Sequence, residues 1–328
     1  MATILLRRRH QASQPGKTPA PVDRLRAPAR SGRSMPQPLF TWLLIAPSLA
    51  LFAVFNILPL LWLVGLSFFR YNLTFGTPPR FAGLKNYIDL MNDRFLWGRL
   101  GLTLLFVLLA VGIETVLGAL LGYAFWKKRD LPGRRLALTL LFVPMVLAPV
   151  AVGTFFKIIY DPMYGVLPYY AARLFHIKAL DLLGSGNLAF PAVLAVDVWM
   201  WTPFLIMMTV AALGAVPKAL LESAEVDRLT TWQRMRYVVW PHAKFVLMLG
   251  VVLRTIDAFK TFDLVSAMTA GGPGNQTQLV SLTIFREAFN DFAIGKASAL
   301  SLLVLFIAVS LASIYLFVLN YGVLREGK

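Results

Sequence analysis

The sequence has no cysteine and only three histidines in 328 residues. The absence of cysteine excludes disulfides, thiolate catalysis, zinc ribbons and iron–sulfur clusters. The histidines are far apart along the chain, and no H-E-x-x-H pair occurs. Charge is also scarce, since Asp, Glu, Lys and Arg make up 15% of the residues, and no Ser/His/Asp order or pair of cleft carboxylates is recognisable. These deficits argue against an enzyme and predict no metal or other cofactor in this chain.

Apolar residues are abundant instead. They make up 58% of the chain, against about 45–50% in soluble domains, and the mean hydropathy is +0.66. A membrane-spanning helix needs about 20 mostly apolar residues, and six segments meet that length. They are residues 40–69, 100–126, 136–159, 188–213, 242–268 and 296–321. The pattern predicts an all-α integral membrane protein with six transmembrane helices.

The cations are distributed unevenly between these segments. With the N-terminus inside, 20 of the 32 Lys and Arg residues fall on the cytoplasmic side and 9 on the other side. The positive-inside rule therefore predicts cytoplasmic N- and C-termini and explains the net charge of +16 without a nucleic-acid partner. Residues 1–38, rich in Arg, Pro and Ser, are predicted to be a disordered basic cytoplasmic tail. Residues 39–328 are predicted to form the six-helix transmembrane domain.

One short cytoplasmic segment breaks the basic pattern. Residues 217–229 carry three carboxylates, Glu222, Glu225 and Asp227, within six residues. Pro217 suits the first turn of a helix, and apolar residues at i, i+3/i+4 spacing predict one apolar face on a rod about 20 Å long. Such a helix could insert into a groove of another protein. It could also lie on the bilayer, although interfacial helices usually carry Lys or Arg on their polar face.

The residues that follow identify a family. "ESAEVDRLTTWQRMRYVVWP" (222–241) resembles the E-A-A-x-x-D-G-A…P signature of permease subunits of binding-protein-dependent ABC importers. Ser223 replaces an alanine, and Arg228 replaces the signature glycine. The resemblance implies that 217–229 is the coupling helix that docks on an ABC ATPase subunit, which would bind the ATP and Mg. The implied docking residues are Glu222, Ser223, Ala224, Asp227, Arg228 and Leu229.

A second stretch, residues 254–301, resembles the carbohydrate (maltose-type) branch of that family. It contains Phe262-Asp263, the sequence GGPGN at 271–275, and Gly295 with Ala297 and Ala299. The resemblance extends over about residues 40–322 and implies the type I, MetI-like permease fold in a bacterial inner membrane. It also implies a second homologous permease, an extracytoplasmic solute-binding protein, and a sugar or polyol substrate.

Charged residues inside the predicted spans are candidates for the substrate pathway, because each costs about 2.5–3.5 kcal/mol to insert without a partner. Sugars are bound by carboxylates and aromatic rings, so the candidates are Asp197, Trp199, Trp201, Asp257 and Lys260. Arg254, Asp257 and Lys260 are spaced at i, i+3, so they could instead form ion pairs along one helix face. A role in the substrate pathway and a purely structural role both remain open.

The loop at 271–277 is predicted to face the binding protein as a docking or gating loop, or to be a stiff turn. Its candidate residues are Gly271, Gly272, Pro273 and Asn275.

Two other classes of protein fit a hydrophobic chain of this length. A self-sufficient secondary carrier or channel would show inverted repeats and no cytoplasmic docking helix. An integral-membrane enzyme would need a catalytic constellation. Neither feature is recognisable here. The sequence does not determine the substrate, so disaccharide, polyol, glycerol and glycerol phosphate all remain open.

Overall fold

The computed structural model describes residues 37–326, except 77, 129–131 and 178–179, and describes side chains within 41–317. Most of the predicted basic tail therefore lies outside the described residues. Its last two residues, Gln37 and Pro38, already belong to the first helix.

Helices make up most of the described chain, and a small hairpin connects two of them. The helices are α1 (Gln37–Phe52), α2 (Leu58–Ser67), α3 (Lys85–Met91), α4 (Arg94–Lys127), α5 (Arg134–Val146), α6 (Pro149–Ile159), α7 (Val166–Phe175), α8 (Ala189–Gly214), α9 (Lys218–Val226), α10 (Thr231–Gln233), α11 (Trp240–Phe259), α12 (Asp263–Met268), α13 (Val280–Phe285) and α14 (Ile294–Glu326). Three π-helical stretches, Ala53–Ile57, Arg234–Val239 and Arg286–Asn290, continue α1, α10 and α13. Strands β1 (Phe69–Arg70) and β2 (Arg80–Phe81) pair in antiparallel fashion.

The six predicted spans each correspond to a helix or a bent helix pair. Five stretches are long and apolar enough to cross a membrane: Thr41–Ser67, Arg94–Lys127, Ala189–Gly214, Thr231–Phe259 and Ile294–Phe317. The sixth is the pair α5 and α6, which bends by 95°. Leu147 and Ala148 are extended at the bend and Pro149 begins α6. The bend follows from the position of Pro149, because a proline disfavours helical geometry in the residue before it.

The boundaries of the fifth prediction were wrong at both ends. The stretch predicted as 242–268 starts earlier, at Thr231, and its helix ends at Phe259, before the separate helix α12. The helix starts early because Thr230 and Gln233 form a capping box, in which each side chain bonds the other residue's backbone N–H.

The chain divides into two units at Ile57. In the described part of the first unit, side chains from Thr41 to Ile57 are exposed apart from a half-buried Ala53. An apolar helix with no polar face is typical of a segment surrounded by lipid or by another protein.

The second unit is built around the packing of α4 against α8. Gly118 and Gly122 lie one helical turn apart on α4, where a Cβ would come within 2.6 Å of Leu205 or 2.5 Å of Thr209 on α8. This small-xxx-small spacing lets the two backbones approach closely, as is common between membrane helices. A buried apolar cluster around Phe106, Val193 and Leu264 continues the same interface. Helix α11 packs on both α4 and α8, so these three helices form the centre of the unit.

Candidate functional site

A helix is present where the sequence predicts the coupling helix, and it is slightly shorter than expected. Helix α9 covers Lys218–Val226, with Pro217 as its N-cap rather than its first helical residue. The helix lies between the C-terminal end of α8 and the start of the long stretch that becomes α11. Helix α9 is therefore joined through the chain to two of the three central helices, α8 and α11.

The end of α9 has a left-handed residue where the family signature has glycine. Arg228 has φ = +54°. Its N–H donates to the Glu225 carbonyl at 3.0 Å, and the Leu229 N–H donates to the Ala224 carbonyl at 3.0 Å. These are the two hydrogen bonds of a Schellman motif, in which glycine is usual at the left-handed position. The turn after Asp227 thus forms with arginine in place, in a conformation that L-residues rarely adopt.

The predicted docking residues separate into two sets. Glu222, Ser223, Asp227 and Arg228 are exposed. Ala224 is 3% exposed, and Leu229 is half-buried. Ala224 therefore anchors α9 to its own chain, while the exposed set presents two carboxylates and one guanidinium on an accessible surface.

The segment after α9 is held against it. Arg234 Nη1 donates to Glu225 Oε1 at 2.8 Å. The C-terminal end of α4 lies beside both, because Trp126, Glu225 and Arg234 line one cavity. The segment at 127–135 has five Lys and Arg residues in nine positions. It begins at the same end of the helix bundle as α9, which fits the expectation from the positive-inside rule that both segments lie on one side of the membrane.

A buried ionic cluster lies within the central helices. Arg254 of α11 is 1% exposed, and Glu114 of α4 is 0% exposed. Arg254 Nε donates to Glu114 Oε2 at 2.8 Å, and Nη2 donates to Glu114 Oε1 at 2.9 Å. Nη2 also donates to Asp197 of α8, and Nη1 donates to Asp257 at 3.5 Å. The guanidinium carbon lies 5.0 Å from the centre of the Trp201 ring.

Four of the five predicted pathway residues border a cavity of about 110 Å³ next to this cluster. They are Asp197, Trp201, Asp257 and Lys260. Asp197 is 1% exposed, and its Oδ1 is buried without a hydrogen-bond partner among the described residues. Buried carboxylate oxygens normally have partners, so this atom is an exception; it is enclosed by its neighbours, although Asp197 as a residue borders the cavity.

The fifth pathway candidate, Trp199, lies elsewhere. Its ring packs against Phe156, with centroids 5.1 Å apart, and the residue is 44% exposed. Since α8 turns by about 100° per residue, Trp199 and Trp201 cannot face the same side.

The i, i+3 pairs expected on α11 are both present but weaker than the pairing between helices. Lys260 Nζ lies 3.8 Å from Asp257 Oδ1, with the lysine side chain 70% exposed. The dominant partner of Arg254 is Glu114, a charged residue inside the predicted span 100–126. The available signal was the presence of charged residues within three different apolar spans, which shows that partners are needed but not which residues pair.

The glycine-rich loop follows α12, beyond the end of α11 that is farther along the chain from α9. Helix α11 has 20 residues and is therefore about 30 Å long. Gly271, Gly274 and Asn275 have positive φ. Arg286 Nη2 donates to the Ala270 carbonyl at 2.6 Å, and Thr277 Oγ1 donates to the Gly272 carbonyl at 2.8 Å. These bonds tie both ends of the loop to its surroundings.

The predicted loop residues differ in accessibility. Gly271 is buried, Gly272 and Pro273 are half-buried, and Asn275 is exposed. The loop tip at 274–276 is therefore the part that a partner could contact.

The described residues contain no group of three or more His, Asp or Glu side chains arranged to hold a metal ion. The arrangement combines an exposed acidic surface on α9, a hydrogen-bonded glycine-rich loop after α12, and a cavity lined by polar residues of α8 and the end of α11.

Comparison with known proteins agrees with this geometry. The trehalose/maltose transport system permease protein MalF of Thermococcus litoralis is 32% identical over 276 residues, which cover 84% of this chain and 92% of the relative. The trehalose transport system permease protein SugA of Mycobacterium tuberculosis is 30% identical over 303 residues, which cover 91% and 94%.

A solved structure shares the fold. It is a crystal structure of a bacterial alginate ABC transporter in complex with an alginate pentasaccharide-bound periplasmic protein, with a TM-score of 0.70, 17% identity, and coverage of 85% of this chain and 93% of that one. Residues 114–321 match the family described as "Binding-protein-dependent transport system inner membrane component". The chain belongs to this family of inner-membrane components of binding-protein-dependent transport systems, and it is an ABC importer permease with the MetI-like fold.

Proposed function

We propose that this chain is the transmembrane subunit of an ATP-driven importer that translocates a sugar or polyol. The observation that supports this function best is the continuity between α9 and the cavity. The exposed acidic surface of α9 connects through α8 and α11 to Asp197 and Asp257, which border the cavity. A displacement of α9 would therefore act on the helices that carry the polar cavity.

The partner at α9 is an ABC ATPase subunit, which binds the ATP and Mg; this chain supplies no cofactor site of its own. Glu222, Ser223, Asp227 and Arg228 are the contact residues, because they are exposed on one short helix. Ala224 and Leu229 support that helix from within the chain. This arrangement requires the N- and C-termini, α9 and the 127–135 loop to be cytoplasmic in a bacterial inner membrane.

The substrate passes the cavity near Arg254. Asp257 accepts hydrogen bonds from hydroxyl groups, Lys260 donates, Trp201 supplies an aromatic ring, and Asp197 places a second carboxylate at the cavity. A sugar or polyol carries many hydroxyl groups, so it matches a lining that combines acceptors, a donor and an aromatic ring. The names of the two relatives, which refer to trehalose and maltose, support a carbohydrate.

Two further partners complete the importer. A second homologous permease packs against part of the exposed apolar surface of this chain, and lipid surrounds the rest. An extracytoplasmic binding protein delivers the substrate at the end that carries the tip of the 271–277 loop. The alginate transporter, which was solved in complex with its periplasmic protein, supports this last assignment.

Copurification in mild detergent tests the proposal. The tagged chain, expressed with its neighbouring genes, should bring down an ATPase and a second permease. Glu222→Lys should abolish ATPase copurification and uptake while leaving membrane insertion intact, because it reverses a charge on the exposed face of α9. A control is Lys218→Gln at the first residue of the same helix, outside the signature residues; it should retain both. Normal uptake by Glu222→Lys, or solute transport by the purified chain alone without nucleotide, would contradict the proposal.

A further inference from the structure

A second cavity, of about 410 Å³, lies beside α9. Its walls come from the C-terminal end of α4, from α9, and from the segment that follows α9, represented by Trp126, Glu225 and Arg234. This volume is within the range of binding sites for small organic molecules, about 300–1,000 Å³. The cavity is separate from the one near Arg254, because the two have no lining residue in common.

One wall of this cavity is aromatic. Tyr123 and Trp126 have ring centroids 6.0 Å apart and planes inclined by 34°. Both rings pack on the buried cluster formed by Ala212, Leu213 and Val216 with their neighbours, so they are held in place. The face of an aromatic ring carries partial negative charge, and the C–H groups of a sugar ring pack favourably against it.

Another part of the lining carries positive charge. Arg234 Nη1 is occupied by Glu225, but the Arg234 side chain as a whole is 28% exposed and borders the cavity. Lys127 adds a second, exposed cation to the lining. A phosphate oxygen is a strong acceptor for guanidinium and ammonium groups.

Hydroxyl-binding groups also line the cavity. The Glu225 carboxylate, 66% exposed, and the Thr231 hydroxyl both border the cavity. Glu225 can accept hydrogen bonds from ligand hydroxyls while it holds Arg234 in place. The cavity thus combines an anion contact, hydroxyl acceptors and an aromatic platform.

We propose that this cavity binds a small sugar phosphate, a phosphate monoester on a polyhydroxylated ring, and that its binding inhibits transport. The proposal rests on the function above, because that function places α9 in the cytoplasm, where a sugar phosphate would be formed by phosphorylation of an imported sugar. A ligand that contacts both α4 and α9 stabilises the arrangement in which it is bound and opposes displacement of α9. The site would therefore provide feedback from a phosphorylated product on uptake.

Direct binding tests the site without any partner protein. The full chain in lipid nanodiscs is titrated with radiolabelled glucose 6-phosphate as the probe, with glucose and inorganic phosphate as competitors. We expect saturable binding of the radiolabelled probe. Glucose and inorganic phosphate should each displace the probe at least tenfold less effectively than unlabelled glucose 6-phosphate does. Equal displacement by inorganic phosphate would reduce the site to an anion contact and overturn the assignment of a sugar phosphate.

Variants locate the binding. Arg234→Gln should weaken binding at least tenfold, and Lys127→Gln and Trp126→Leu several-fold. The matched control is Arg236→Gln, which removes a cation that is exposed on the same segment and does not line the cavity; it should bind like the wild type. Since Lys127 is exposed at a helix end, its variant remains informative even if Arg234→Gln fails to fold. Wild-type affinity in both cation variants would overturn the site.

A second measurement tests the inhibition. The complete importer in nanodiscs, with its binding protein and transported sugar, is assayed for ATPase rate with and without glucose 6-phosphate. The ratio of the two rates should fall several-fold in the wild type and stay near one in Lys127→Gln. An unchanged wild-type ratio would overturn the inhibitory role. Failure of the proposed function would instead appear as absence of a copurifying ATPase, and the binding experiment on the chain alone would be unaffected.

Discussion

Arg254 on α11 and Glu114 on α4 form a two-pronged ion pair, 2.8 and 2.9 Å long, across 140 residues of sequence. Arg254 is also the largest fully buried side chain among the described residues. By bonding Asp197 as well, it connects α4, α8 and α11. These bonds fasten α8 and α11, the helices on both sides of α9, to α4.

Removing this arginine should destabilise the chain strongly. Arg254→Ala leaves two buried carboxylates without their counterion, and breaking a buried pair in this way costs about 3–5 kcal/mol. Thermal unfolding in detergent should show a large fall in midpoint temperature. Arg236→Ala, at an exposed position, should change stability by no more than about 0.5 kcal/mol. Similar midpoints for the two variants would contradict a stabilising role for the cluster.

The two glycines on α4 should tolerate no larger residue. Gly118→Val and Gly122→Val would drive side-chain atoms into α8, and overpacking of this kind costs about 1–3 kcal/mol each. Gly112→Ala on the same helix, where a Cβ has nothing within 4 Å, is the control and should be neutral. The measurement is the yield and midpoint temperature of each purified variant; wild-type values for the valine variants would exclude close α4–α8 contact at these glycines.

The backbone strain at Arg228, which follows α9, can be relieved by substitution. Arg228→Gly should stabilise the left-handed turn by about 1 kcal/mol, because glycine adopts positive φ without steric cost. Arg228→Ala keeps the strain but removes the guanidinium, so it separates geometry from charge. If the guanidinium contacts the ATPase, both variants should lower the affinity of ATPase docking in a binding titration. Unchanged affinity in both would limit Arg228 to a structural role.

A substitution at Lys260 tests the proposed substrate pathway without disturbing the buried ion pairs of Arg254. Its side chain is 70% exposed and borders the cavity near Arg254. Lys260→Met should raise the KM of sugar uptake several-fold without shifting the unfolding midpoint, because it removes a hydrogen-bond donor to substrate hydroxyls. Trp199→Leu, away from the cavity, should leave KM unchanged. The reverse pattern in uptake kinetics would assign the pathway to the Trp199 side of α8.

Much of the fold was predictable from local patterns. Apolar segments of about 20 residues predict spans because each must cross the hydrocarbon core with its backbone bonds satisfied internally. The amphipathic acidic helix was predicted within a few residues for similar reasons. The bend between α5 and α6 was harder, because prolines mark a break without giving its angle.

The site was predictable only in part. Asp197, Trp201, Asp257 and Lys260 were selected as polar residues in apolar surroundings, and the structure places them around one cavity. Trp199 was selected by the same composition argument, yet it lies against Phe156. Composition cannot distinguish two tryptophans on different faces of a helix when both faces are apolar.

The amino-acid sequence by itself determined that this chain spans a membrane, roughly where its spanning helices lie, and that one short acidic helix interrupts them, because hydropathy and capping act over neighbouring residues. Only the tertiary structure decided that Arg254 bonds Glu114 and Asp197, and that Trp126 and Arg234 border one cavity. Those contacts join residues from separate helices, and which helices meet depends on packing across the whole bundle rather than on any local pattern.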